Sequence, residues 1–263
     1  MTVDTETLVQ LASRLQQAAV DRQCGTPLSD EFPHLDEADA YAIQDALVRL
    51  KGGVRSGYKL GFTSAAMRQQ MGVDSPNSGV LLDSMRLTSP VLGAGVLIQP
   101  RVEPEIAILL ECDLEGRELT PEHVARATAA VMPAIEVVDS RYADYRFKTV
   151  DNIADNSSAA RYLLGPPRAL ADVDDLQLLG VQLSIDGVVV DQGLGAAALG
   201  SPLAAVAWLA RHLAERGARL QAGQVILTGG LTRAHALNPG HTALAEFGGG
   251  LGSLMLQHAL TGA

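Results

Sequence analysis

Two cysteines in 263 residues, Cys24 and Cys112, leave no material for a disulfide framework or a cysteine-rich metal site. Both are read as reduced thiols. No run approaches the ~18 uninterrupted apolar residues that a membrane helix requires. The first ten residues carry Asp4 and Glu6 and lack a long apolar core, which argues against a signal peptide. A cytoplasmic location is therefore expected. Positive charge is also short: 20 Lys and Arg against 30 Asp and Glu give a formal net charge of -10. Such a chain repels the phosphates of nucleic acid and of anionic membranes, so neither is expected as a partner. A small anionic substrate would be repelled too, and a site for one needs a local cation: Lys, Arg or a metal ion. The glycine-rich stretches 228–232 and 248–252 lack GxGxxG and Walker spacing, so no nucleotide site is read there.

What the chain has is enough apolar residue, 47%, to bury a core, with an ordinary 19% charged. Leu8, Leu11, Leu15 and Ala18 recur at helical spacing and predict an amphipathic helix over 4–24. A loop with two prolines follows at 26–33. A second helix is expected from about Asp36, its N-cap, with Ala40, Ile43, Leu47 and Leu50 on one face and Gly52 and Gly53 at its end. Residues 1–55 thus read as an N-terminal helical layer. Residues 56–263 read as a β-rich catalytic core. Strands are expected at 56–62, 79–83, 104–111, 133–139, 160–164, 179–185, 187–191, 224–228, 242–246 and 251–257. Asp186-Gly187 marks a hairpin. Two further helices are expected, over 121–132 with Thr120 as cap, and over 202–216 with Val206, Leu209 and Leu213 inward and Gly217 at its end. The fold class is α+β.

Three acids stand where strands want apolar residues. Glu103 and Glu105 are two apart at the start of an apolar run, so a strand points both to one face. Side by side they repel unless a cation lies between them. Glu136 is a lone acid inside an apolar run, and burying it is expensive unless it is paired or bound to metal. Three carboxylates from two strands suit a hard cation such as Mg²⁺ or Mn²⁺. The competing reading puts Glu103 and Glu105 on a solvated face and pairs Glu136 with an arginine. Lys59, between Gly57 and Gly61 in an apolar strand, is partly desolvated; burial lowers its pKa and nearby carboxylates raise it. It is either a proton-transfer or enolate-steadying group or a lysine at a strand end reaching water. The small, polar segment 151–160 is able to present donors to a carboxylate, or is a plain loop.

The order of these segments resembles a known family. Tyr58-Lys59-Leu60-Gly61-Phe62-Thr63-Ser64 is followed by Gly72-Val73-Asp74-Ser75-Pro76 and Pro100-Arg101-Val102-Glu103-Pro104-Glu105. Ile135-Glu136-Val137-Val138-Asp139-Ser140-Arg141, Ala154-Asp155-Asn156-Ser157-Ser158 and Leu251-Gly252-Ser253 come next. Over about residues 8–257 the pattern resembles the 2-keto-4-pentenoate hydratase and 4-oxalocrotonate decarboxylase family of the fumarylacetoacetase-like superfamily.

That resemblance implies a fumarylacetoacetase-like mixed β-roll or barrel core with N-terminal helices. It implies Mg²⁺ or Mn²⁺ on Glu103, Glu105 and Glu136, and Lys59 as the acid/base or electrostatic residue. Asn156 and Ser157, with Asp155 and Thr63, are the substrate-binding residues it implies for a small 2-keto acid. A homo-oligomer, and a complex with a related hydratase, are implied by the family alone. Two activities share these motifs: decarboxylation of 2-oxo-3-hexenedioate and hydration of 2-hydroxypentadienoate. The segments 139–148, 213–217 and 227–232 resemble the decarboxylase branch, since hydratases usually carry Ile and Trp near positions 142 and 145. The chain departs from the family at His241, where an acid is common, and at Asn77-Ser78, a change expected near the substrate. A non-catalytic partner subunit is disfavoured by the presence of all three acids and the lysine. An acylpyruvate hydrolase would need a water-activating His or Glu pair near the N-terminus, where His34 is the only histidine.

Overall fold

A computed structural model describes residues 3–65, 68, 69, 73 and 75–260. Gly72 and Asp74 of the 72–76 motif lie outside the described residues. Helix α1 (Thr5–Asp21) opens on Asp4, whose carboxylate accepts from the Thr7 N–H at 2.9 Å. This satisfies one of the amide donors a helix start leaves unpaired. The short α2 (Leu28–Glu31) falls inside the expected loop. Helix α3 (Glu37–Lys51) starts on Asp36, which accepts from Asp39 N–H, and ends at Gly52 with φ 66°. Leu11 and Leu15 of α1 meet Ala40, Ile43 and Leu47 of α3 in an apolar cluster that also takes in Tyr142, Ile153 and Ala154. Each buried leucine there contributes roughly 2 kcal/mol. Leu50, expected on the same face, is 48% exposed: it sits in the last turn, beyond the buried run that ends at Leu47. Gln44 ties α3 to the rest of the chain, donating to Ser78 O at 2.8 Å and Ile153 O at 2.9 Å.

The remainder is two sheets. The larger contains β1 (Arg55–Gly61), β2 (Asn77–Leu82), β4 (Arg101–Leu110), β5 (Thr128–Val138), β6 (Ala159–Leu164) and β9 (Val225–Leu227) in the order β2-β1-β9-β4-β5-β6, with β10 (His235–Ala236) also on β4. The smaller runs β3 (Val91–Leu92), β12 (Gly252–His258), β11 (Thr242–Phe247), β7 (Gly180–Ile185), β8 (Val188–Leu194). The β7–β8 turn is Asp186-Gly187, both at positive φ (51° and 79°), as a two-residue hairpin requires. Helix α4 (Pro121–Arg126) is short, α5 (Thr149–Ala154) precedes the segment 155–158, and α6 (Pro202–Glu215) buries Val206, Leu209 and Leu213.

The extent of one expected helix and the loop alternative for 151–160 also differ from the structure. The helix over 121–132 stops at Arg126, because the alanines and valine that follow pair in register with β4 as an antiparallel strand from Thr128 onward. Pairing along a whole buried strand outweighs the modest helix preference of Ala129 and Ala130. The polar stretch 151–160 is not a plain loop but the end of α5, a tight 3₁₀ turn at Asn156–Ser158 and the start of β6.

Candidate metal centre and active-site cavity

Register alone gathers the acids. In the β4–β5 ladder Glu103 lies directly opposite Glu136, and strand alternation turns Glu105 to the same face. The same bookkeeping brings in the lysine. Lys59 on β1 is opposite Leu227 on β9, and Leu227 is opposite Ala107 on β4, two residues beyond Glu105. Carboxylate oxygens of Glu103, Glu105 and Glu136 lie within 4.8 Å of one another. Lys59 Nζ is 3.2 Å from Glu136 Oε2, an ion pair rather than a directional hydrogen bond, and donates to Ser157 O at 3.0 Å.

The electrostatics of this cluster are severe. Glu105 and Glu136 are fully buried and Glu103 partly so. Burial first, then the Glu136 charge, pushes the Glu103 carboxyl up to about 7 despite the lowering effect of Lys59. Burial and repulsion from Glu136 and Glu103 raise Glu105 well above the carboxylate range, and burial also raises Glu136. Burial lowers the Lys59 pKa, but the three carboxylates outweigh it and keep the ammonium charged. Among the described residues, Glu105 Oε1 and both oxygens of Glu136 are buried without a hydrogen-bond partner, the Lys59 ion pair to Glu136 Oε2 apart. Glu105 Oε2 accepts from Gly229 N–H at 2.7 Å. Gly229 has φ 106°, and a Cβ there would stand 2.1 Å from Thr63 Oγ1, so only glycine delivers this donor. The 228–232 stretch thus serves a carboxylate, not a phosphate.

The segment after α5 aims Ser157. Asn156, Ser157 and Ser158 all adopt positive φ (55°, 51° and 57°), each costing about 1 kcal/mol or more. This turn points the Ser157 carbonyl at Lys59. Ser157 Oγ donates to Asn77 Oδ1 at 2.9 Å, and Asn77 Nδ2 donates to Asn152 Oδ1 at 2.8 Å. Asn77, the departure seen in the sequence, is therefore part of the lysine's surroundings.

A cavity of about 340 Å³ opens beside the cluster, lined by Lys59, Arg101, Glu103, Tyr145, Asn152 and Ser157 among others. A larger hollow of about 420 Å³ between residues 25–30 and 143–151 shares Asp144 and Phe147 with it but holds none of the three acids. Of the residues expected to bind substrate, Ser157 reaches the cavity. Asn156 does not: its amide is spent on Val80, accepting from N–H at 2.7 Å and donating to the carbonyl at 2.9 Å. Asp155 is fully buried in an ion pair with Arg141. Thr63 stands beside Gly229 and is not among the residues lining the cavity. Arg101, Tyr145 and Asn152 line the cavity without having been singled out as contacts. For Arg101 a signal existed, since it shares the alternation of Glu103 and Glu105.

Residues 68–257 match the family model described as fumarylacetoacetate (FAA) hydrolase C-terminal. The chain belongs to the fumarylacetoacetate hydrolase family. Relatives within that family include lyases of two names. A 2-keto-4-pentenoate hydratase of Paraburkholderia xenovorans (strain LB400) is 42% identical over 239 residues, 88% of this chain and 87% of that protein. A 4-oxalocrotonate decarboxylase of Pseudomonas putida is 38% identical over 257 residues, 96% and 97% of the two chains. The solved structure of 4-oxalocrotonate decarboxylase from Pseudomonas putida G7, complexed with magnesium and adipate, superposes with a TM-score of 0.93 at 36% identity, covering 98% of this chain and 99% of that one. The fold is accordingly the mixed α+β architecture of this family, with helices at the N-terminus.

Proposed function

We propose that this chain is a divalent-metal-dependent decarboxylase of 2-oxo-3-hexenedioate, acting in the meta-cleavage catabolism of aromatic compounds. The observation that carries the reading is the set of clustered, buried carboxyl oxygens on Glu105 and Glu136 that, among the described residues, have no hydrogen-bond partner. Clustered, buried and mutually repelling carboxylate oxygens, offset by a single ammonium, are the donor set a hard cation needs, so the residues fit Mg²⁺ or Mn²⁺ held by Glu103, Glu105 and Glu136. When bound, such an ion supplies Lewis acidity toward the keto oxygen of a 2-keto acid.

The chain's own residues do the rest. Decarboxylation breaks the bond to the distal carboxylate, and the electron pair moves through the conjugated chain to the 2-keto oxygen. Lys59, held as an ammonium by Ser157 O and Glu136, places a fixed positive charge in the cavity where that negative charge develops. Its Nζ, 3.2 Å from Glu136, is also the group that delivers a proton in this reading. Within the segment 151–160 it is Asn152, Ser157 and Ser158 that line the cavity, and Asn156 and Asp155 do not. The helical layer 1–55 and the core 56–263 work as one catalytic unit in this reading, supported by the Gln44 hydrogen bonds to Ser78 and Ile153. A homo-oligomer, or pairing with a related hydratase, is supported by the exposed Val188, Val189, Leu194 and Met255 on the smaller sheet.

A hydratase acting on 2-hydroxypentadienoate is the second reading, favoured by the 42% identity to proteins of that name. Product analysis separates the two. Purified protein with Mg²⁺ or Mn²⁺ is expected to release CO₂ from 2-oxo-3-hexenedioate and to stop on chelation. Consumption of 2-hydroxypentadienoate alone, giving 4-hydroxy-2-oxopentanoate, would establish the hydratase instead.

A further inference from the structure

An acidic protein that binds a small anion needs a cation with unused hydrogen-bonding capacity. Three cationic side chains line the cavity: Lys59, Arg233 and Arg101. Lys59 is committed to Ser157 and Glu136. Arg233 is 72% exposed and its Nε is 3.3 Å from Asp191, which also holds His235 at 3.0 Å. Arg101 differs from both. Its Cζ lies 3.9 Å from the centroid of the Tyr145 ring, yet among the described residues no hydrogen bond or ion pair engages its guanidinium.

The stack is itself fixed. Tyr145 has φ 59° and follows Asp144 at φ 57°, and its hydroxyl donates toward Val138 O at 3.0 Å and Gln99 O at 3.1 Å. Val138 is the cross-strand partner of Arg101 and Gln99 lies two residues before it. The ring is thus anchored to the same backbone that carries the arginine. A planar cation held by its face, with its N–H edge free in a cavity, is preorganised for bidentate pairing with a carboxylate.

We propose that Arg101 is the receptor for the second carboxylate of a dicarboxylic substrate, selecting six-carbon 2-keto diacids over monoacids. The inference rests on the metal-lyase reading above and deepens it. Arg101 and Glu103 share a strand face, and residues two apart on a strand stand about 6.7 Å apart. The five bonds of a six-carbon chain span about 6 Å when extended. Both side chains line the same cavity, so a diacid with one end beside Glu103 has its other end free to meet the Arg101 guanidinium, whereas a monoacid offers that edge nothing to bind. Pairing with the carboxylate that is later lost is strongest in the bound substrate, so its signature is tighter ligand binding and not a raised kcat.

The test is calorimetric titration of the Mg²⁺-saturated protein with adipate and with pentanoate, for the wild type, Arg101→Met and Arg101→Lys. The wild type is expected to bind adipate at least tenfold tighter than pentanoate. Arg101→Met, which keeps an apolar stem against Tyr145, is expected to bring that ratio to about one, and Arg101→Lys to retain part of it. A wild type without preference, or a preference intact in Arg101→Met, overturns the assignment. Should Arg101→Met fail to fold by thermal melting, full preference in Arg101→Lys overturns it, because a point charge lacks the bidentate fork. Absence of CO₂ release alongside an Arg101-dependent preference would defeat the decarboxylase reading and leave this one standing.

Discussion

Raising the pH of the metal-free protein from 4.5 to 8 is expected to weaken it. The Glu103 carboxyl, ordinarily near 4.5, is raised to about 7 by burial and the neighbouring Glu136 charge. Between those two values the native state holds a proton that the unfolded chain has released. The native state therefore binds more protons, and stability falls as pH rises through this window. The rise from the ordinary value to about 7 corresponds to about 3 kcal/mol from Glu103 alone. Glu105 and Glu136 shift in the same direction and add to the loss. For a chain of this size the Glu103 part corresponds to a fall of roughly 6–12 °C in melting temperature. Thermal melts in chelator from pH 4.5 to 8 measure it, and a parallel series in saturating Mg²⁺ supplies the comparison. With the ion present the slope should vanish or reverse, because ligands must be deprotonated to bind. A metal-free melting temperature that stays flat or rises across this window would refute the picture of three buried, mutually repelling carboxylates.

Glu105→Gln should abolish metal-dependent turnover, while the metal-free variant melts higher than the metal-free wild type at pH 8; a fully active variant would sink the ligand assignment. Lys59→Met should lower kcat by about 10²–10⁴ while metal affinity, read by titration calorimetry, holds or tightens through loss of a competing cation; a kcat within threefold of wild type would exclude the lysine from the chemistry. Asn156→Ala should cost about 2–4 kcal/mol in urea unfolding, since it leaves the N–H and C=O of Val80 buried without their amide partner. A loss confined to substrate affinity with stability unchanged would instead place Asn156 in the binding site.

Much of this protein follows from patterns a few residues long. Asp36 as a helix cap, Asp186-Gly187 as a hairpin turn and the strands around Glu105 and Glu136 all come from local propensity and periodicity. The two-residue spacing of Glu103 and Glu105, with the lone acid Glu136 in a neighbouring run, marks one sheet face from the sequence alone. It was not enough to choose between a solvated face and a metal centre, because that depends on what covers the face.

Tertiary structure decided the rest, for reasons no local window contains. Whether residues 127–132 became helix or strand was settled by pairing with β4, some twenty residues earlier in the chain. The polar run 154–158 read alike at every position, yet its left-handed turn sends Asp155 to Arg141, Asn156 to Val80 and only Ser157 to Lys59. Lys59 itself joins the acids because β9, from far along the chain, inserts between β1 and β4 and carries the register across. Side-chain alternation is a property of one strand and is written in its residues. Which strands lie side by side, and so which charges share a cavity, is set by long-range pairing and burial over the whole fold.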